Sequence, residues 1–259
     1  MLLAADVGNT EITLGQFVGE RLAACWRVNT TVPRTPHEWS ALLTSFLTHA
    51  GHSTAEVRAA IEASVAPGTT QLLAEGIALA FGARPLLVGP ESALPITLEV
   101  EEPHTVGADR VINTLAAATL YQRDTIVVDF GTATTFDCIT ASGTFLGGVI
   151  APGVWTAAEN LIRRAAKLPG TELVPPPSVI GKRTEDCIRS GVLYGAVDAV
   201  DGMVRRIKAE WPGSGDPLVV ATGGLAEQVA PMCNEIDEVE PDLTLNGLRI
   251  AAQHLGLEW

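Results

Sequence analysis

Two segments far apart in the chain carry an Asp, a Gly and a hydroxyl in the same order. They are Asp6-Val7-Gly8-Asn9-Thr10 and Asp129-Phe130-Gly131-Thr132-Ala133-Thr134-Thr135. Glycine lets a backbone come close to a phosphate and supplies N–H donors. Threonine adds a hydroxyl, and aspartate can hold a cation or a metal-bound water. Alone, Asp6 to Thr10 reads as a tight hairpin turn, for which Asp, Gly and Asn are common. The second copy raises the phosphate reading above that one. Thr132 sits in the turn itself, where its hydroxyl can reach a phosphate, whereas Thr134 and Thr135 fit a strand by β propensity. The pair predicts a nucleotide held between two related half-domains.

Two further motifs carry chemistry. Gly107-Ala108-Asp109-Arg110 precedes an apolar, alanine-rich segment. One reading makes Asp109 a helix cap. The other makes it a general base, with Arg110 as an anion clamp whose planar fork suits carboxylate or phosphate. Thr222-Gly223-Gly224 follows an apolar run. It either lets an adenine or ribose lie against the backbone or is a permissive strand-to-helix turn. The sequence has no GxxxxGK[ST], GxSxG or HExxH, so a lysine P-loop, an elbow hydrolase and a zincin lack support. The 5 histidines lie in helix-like or loop positions outside any nucleophile motif and read as surface or structural residues.

Composition narrows the class. The 259 residues are 47% hydrophobic, enough for one large domain or two ordinary ones. A net charge of −13 disfavours nucleic-acid binding, which relies on Lys and Arg at phosphates. Cys25, Cys138, Cys187 and Cys233 form no CxxC pair and no zinc spacing, which fits a reducing compartment. Asp6 interrupts the apolar start, no basic region precedes it, and no apolar run is long enough for a bilayer. A soluble cytoplasmic protein without membrane attachment is expected.

These motifs need strands and helices to position them. Apolar and alternating runs predict strands at 2–5, 11–18, 21–29, 57–65 and 85–88, with helices at 37–50, 69–81 and 109–121. The pattern then restarts. Strands are expected at 125–129, 134–140, 144–150 and 218–221, and helices at 156–167, 184–211 and 243–255. The segment 169–177, with three consecutive prolines, is a loop. Hairpin strands followed by alternating helices and strands, twice over, predict a duplicated α/β architecture with lobes 1–122 and 123–259, although periodicity alone fits an ordinary doubly wound sheet without internal duplication as well.

In order and spacing, these motifs resemble the type III pantothenate kinase family of the actin, sugar-kinase and heat-shock-ATPase superfamily. The resemblance also covers Gly147-Gly148-Val149-Ile150-Ala151-Pro152-Gly153, Gly181-Lys182-Arg183-Thr184 with Ser190-Gly191, and Thr222-Gly223-Gly224-Leu225. It implies duplicated ribonuclease H-like (actin-like ATPase) lobes with an interlobe nucleotide cleft. It implies transfer of the γ-phosphate of ATP to pantothenate, the first step of coenzyme A synthesis, giving 4′-phosphopantothenate. By the same resemblance Asp6, Val7, Gly8, Asn9 and Thr10, with Gly131 and Thr132, bind ATP, Asp6 through Mg²⁺. Asp109 takes the hydroxyl proton; Gly107, Ala108, Arg110 and Thr184 contact pantothenate; Asp129 holds K⁺ or NH₄⁺. A homodimer is implied. Val100 stands where the family has a tyrosine, so one aromatic wall of the acceptor pocket is expected to be missing, and Arg183 replaces a common asparagine. The alternatives are an inactive family member acting as a regulatory or accessory protein, or a superfamily kinase or phosphatase with another substrate.

Overall fold

The computed structural model describes residues 1–213 and 215–259. Its strands are β1 (Leu2–Val7), β2 (Glu11–Val18), β3 (Arg21–Asn29), β4 (Ala59–Ser64), β5 (Leu86–Val88), β6 (Thr97–Leu98), β7 (Thr125–Phe130), β8 (Ala133–Ile139), β9 (Thr144–Pro152), β10 (Leu218–Thr222) and β11 (Glu238–Val239). Its helices are α1 (Pro36–His49), α2 (Pro67–Phe81), α3 (Ala108–Tyr121), α4 (Val154–Arg164), α5 (Thr184–Glu210), α6 (Ala226–Val229) and α7 (Leu243–His254). Among the described residues no helix is long and apolar enough to cross a membrane.

The chain forms two compact units. The first comprises Met1–Leu120, Ser142–Phe145 and Leu243–Trp259. Its five strands are ordered β3-β2-β1-β4-β5. Strand β1 is antiparallel to β2 and parallel to β4. The continuous apolar start of the chain has a simple cause: β1 is covered on both faces, so it needs no polar alternation. Leu3, Ala5 and Val7 pack with Trp39 and Leu43 of α1 and Leu73 and Ile77 of α2. Leu2 and Ala4 pack with Ile112 and Leu115 of α3 and Leu245 and Leu248 of α7. Thr35 and Glu38 close a reciprocal capping box at the start of α1, which satisfies N–H groups that the helix itself cannot pair.

The second unit comprises Tyr121–Ala141 and Leu146–Asp242. Its strands run β11-β10-β7-β8-β9, the same 5-4-1-2-3 sequence of positions as in the first sheet. Strand β7 is antiparallel to β8 and parallel to β10, as β1 is to β2 and β4. Strands β1 and β7 even share one pattern of burial, four buried residues, a half-buried aspartate and a buried apolar residue. Ile126, Val128 and Phe130 of β7 pack with Leu193, Val197 and Val200 of α5. The sheet duplication expected from the repeated motif is therefore present strand by strand.

Several details differ from the sequence reading. The division does not follow one cut near residue 122, because Leu243–Trp259 belongs to the first unit. Its helix α7 buries Leu245, Leu248 and Ala251 in the same cluster as Leu2 and Ala4. Strand β4 is shorter than 57–65, and helix α2 begins earlier than 69, at Pro67, where a missing N–H costs a helix nothing. The two-residue strand β6, not expected from the sequence, pairs with the first two residues of β9.

Candidate functional site

The two Asp-Gly turns occupy equivalent places. Asp6 is the penultimate residue of β1, and Asp129 is the penultimate residue of β7. Asp6 pairs across the hairpin with Thr13, and Asp129 with Thr135. In the first turn the Gly8 N–H donates to the Glu11 carbonyl at 3.0 Å. The Thr30 hydroxyl donates to the Gly8 carbonyl at 2.9 Å, and the Thr30 N–H to the Thr10 carbonyl at 2.8 Å. The turn is thus pinned from β3's end, while Asn9 and Thr10 remain exposed.

In the second turn the Gly131 N–H donates to the Ala133 carbonyl at 3.0 Å. The Thr132 carbonyl accepts from the Gly153 N–H at 3.2 Å and from the Thr156 hydroxyl at 2.7 Å. Both donors come from the start of α4, whose N-cap is Gly153. This arrangement sets a helix N-terminus, the positive end of its dipole, beside an exposed threonine turn. Gly223 lies over Asp129. Its φ is +92°, and a Cβ there would fall on a carboxylate oxygen of Asp129 and stand 2.8 Å from the Phe130 nitrogen. Glycine at 223 is therefore required by backbone conformation and by the carboxylate beneath it. The helix after this turn, α6, is only four residues long.

The third motif lies in the first unit. Helix α3 begins at Ala108, and the Gly107 carbonyl accepts the Val111 N–H at 3.1 Å. Gly107 therefore occupies the cap position, and Asp109 is inside the first turn. The helix-cap reading of Asp109 is corrected by that placement. A Cβ on Gly107 would fall on Asp109 Oδ1, so the glycine leaves space for the carboxylate. Asp109 Oδ1 accepts the Arg110 N–H at 2.9 Å. Burial raises the Asp109 carboxyl above the ordinary aspartate range, opposed by the Arg110 N–H and the Arg110 charge. Such a carboxylate binds a proton more readily than an exposed one.

Arg110 is held at both ends. Its carbonyl accepts the Thr114 hydroxyl at 2.8 Å, and its guanidinium carbon lies 5.0 Å from the Phe145 ring centroid. The motif adjoins the carboxyl ends of the sheet strands. A Gly107 Cβ would be 3.5 Å from Val65, and the Val65 N–H donates to the Val7 carbonyl at 3.0 Å. Ligands of open α/β sheets gather at this end. Val100 follows β6 and is half-buried, and Thr184 opens α5 in the second unit and is exposed.

Among the described residues no three His, Cys, Asp or Glu side chains gather to hold a metal ion. A divalent ion here would rely on at most two such side chains, completed by phosphate oxygens and water. That set suits Mg²⁺, and the half-buried Asp6 at the end of β1 can supply a carboxylate.

The family profile for type III pantothenate kinase matches residues 2–206. This chain belongs to that family. The type III pantothenate kinase of Moorella thermoacetica is 47% identical over 250 residues, covering 96% of this chain and 98% of that protein. The enzyme of Geobacter sulfurreducens is 44% identical over 251 residues, covering 96% and 97%. Solved structures extend the likeness of fold. Component A of (R)-2-hydroxyglutaryl-CoA dehydratase from Acidaminococcus fermentans superposes with a TM-score of 0.56 at 17% identity, covering 98% of this chain and 96% of that one. The activator of 2-hydroxyisocaproyl-CoA dehydratase from Clostridium difficile, with bound ADPNP, gives 0.58 at 12% identity, covering 98% and 93%. The duplicated actin-like architecture implied by the motifs is the fold of this type III pantothenate kinase family member.

Sequence reasoning missed two contributors. Thr156 holds the Thr132 carbonyl from α4, and Phe145 lies under Arg110. Neither belongs to a recognisable short motif. Each reaches the site through tertiary contact, and no local pattern announces it.

Proposed function

We propose that this chain phosphorylates the primary hydroxyl of pantothenate with ATP, yielding 4′-phosphopantothenate and ADP for coenzyme A synthesis. The observation that carries the reading is Asp109. It sits in the first turn of α3, its carboxyl raised by burial, with Arg110 as its neighbour. The substrate hydroxyl oxygen attacks the γ-phosphorus, its proton passes to an Asp109 carboxylate oxygen, and the bond to the ADP oxygen breaks. Phosphoryl transfer asks a protein mainly for positioning and charge neutralisation. A nearby carboxylate meets the remaining need for a proton acceptor.

The other residues divide the work. Gly107, Ala108, Val100 and Arg110 contact pantothenate, the Arg110 fork being suited to its carboxylate, and Thr184 is a further proposed pantothenate contact. Asp6, Val7, Gly8, Asn9 and Thr10 are proposed to take the ATP phosphates, and Gly131 and Thr132 are proposed ATP-binding residues as well. Mg²⁺, held through Asp6, would neutralise phosphate charge. Asp129, beneath Gly223, seats a monovalent cation, K⁺ or NH₄⁺. The enzyme works as a homodimer in the cytoplasm. An inactive regulatory role is disfavoured because Asp6, Asp109, Arg110 and Asp129 are all present. The test is ADP release from ATP with Mg²⁺ and K⁺, followed with and without pantothenate. Release that depends on pantothenate supports the reading, and release that depends instead on a sugar assigns another acceptor.

A further inference from the structure

We infer that Phe145 is a positioning residue for Arg110, and so for recognition of the acceptor carboxylate; this rests on the reading of Arg110 as the carboxylate clamp. Two independent contacts meet at Phe145. Its ring faces the guanidinium of Arg110, with 5.0 Å from the guanidinium carbon to the ring centroid. Its carbonyl accepts the Glu99 N–H at 2.9 Å, and it pairs in parallel register with Leu98. The ring therefore steadies the clamp while the backbone steadies the segment that leads into Val100.

The ring is 1% exposed and cannot swing away. A cation over a desolvated aromatic face is attracted more strongly than one at an open surface. Contact with the ring face is distinct from hydrogen bonding, because the N–H donors of a guanidinium lie in its own plane. An arginine held this way loses less side-chain freedom when the acceptor binds, which is a gain in affinity without a new contact. Phe145 is joined to the first unit even though the rest of β9, from Leu146, belongs to the second.

Phe145→Leu and Phe145→Met remove the ring and keep apolar bulk, and Phe145→Tyr keeps the ring face. Each is assayed for pantothenate and ATP separately, and ¹⁵N relaxation of the Arg110 Nε–H reports how firmly the side chain is held. Loss of the ring is expected to raise KM for pantothenate about five- to tenfold. The KM for ATP and kcat should stay within about twofold. Phe145→Tyr should restore KM, and Arg110 Nε–H should be rigid in the native protein and mobile in Phe145→Leu. In an Arg110→Met background the Leu change should add nothing to KM. Equal damage to both substrates, an unchanged pantothenate KM, or the same penalty without Arg110 would each overturn the inference. If native protein shows no turnover of pantothenate, the kinase reading fails instead. The relaxation measurement then still decides whether Phe145 holds Arg110, and an equally rigid Arg110 in Phe145→Leu overturns it.

Discussion

Glu62 offers a quantitative test of how the first unit is built. It lies on β4, pairs in register with Ala5 of β1, and has no exposed surface. Among the described residues neither carboxyl oxygen has a hydrogen-bond partner, and burial pushes its pKa from 4.5 up to about 8. The carboxyl is raised in the folded chain, so the folded state binds the proton more tightly than the unfolded one. Stability is therefore greatest at low pH and falls as pH rises from the unfolded pKa to the folded one. Between about pH 5.5 and 7.5 that fall amounts to about 2–3 kcal/mol from this group alone. Glu62→Gln cannot titrate. Its buried amide changes stability by an amount that does not vary with pH, so the difference between the two proteins isolates the proton. Urea unfolding of both across this range should show Glu62→Gln gaining about 2–3 kcal/mol relative to native protein as pH rises. Curves that remain parallel would refute a buried, unpartnered carboxyl on β4.

Four further outcomes follow from the site. Asp109→Asn should keep ATP binding, read by calorimetry, and lose about 10²-fold or more in turnover. Because burial raises Asp109, the acid limb of the native kcat/KM profile should lie above the ordinary aspartate range and rise with pH as the base ionises; a profile with no such limb contradicts the assignment. Asp129→Ala should fold, by circular dichroism, and lose its response to K⁺, whereas an intact K⁺ dependence removes the cation seat from Asp129. Gly223→Ala should be less stable by about 2–4 kcal/mol in urea, from a left-handed backbone and a Cβ driven into Asp129 and Phe130.

The sheet was legible because its causes are local. Leu2 to Ala5 is apolar without alternation, and a strand covered on both faces requires that. The Asp-Gly turns announced themselves by composition and repetition, and their equivalence in the two sheets follows from matching hairpins. What sequence did not disclose depends on contacts between distant segments. Helix α7 follows the second sheet in the chain yet packs in the first unit, because its apolar face fits Leu2, Ala4 and Ile112. Taken alone, Asp109 fits a helix cap well, and only the first helical hydrogen bond puts Gly107 at the cap instead. Thr222-Gly223-Gly224 fits a nucleotide-facing turn and a permissive turn equally, and only Asp129 beneath Gly223 shows why glycine is required there. Phe145 resembles any core phenylalanine, and only its position under Arg110 separates it from the rest.

The central claim is that this member of the type III pantothenate kinase family makes a phosphate ester of pantothenate. The most direct measurement is phosphorus NMR of a reaction holding ATP, Mg²⁺, K⁺ and pantothenate. A new phosphomonoester resonance is expected, coupled to the methylene protons of the pantothenate primary alcohol and growing in step with ADP. Inorganic phosphate accumulating with ADP, or ATP left unchanged with folded protein present, would contradict it.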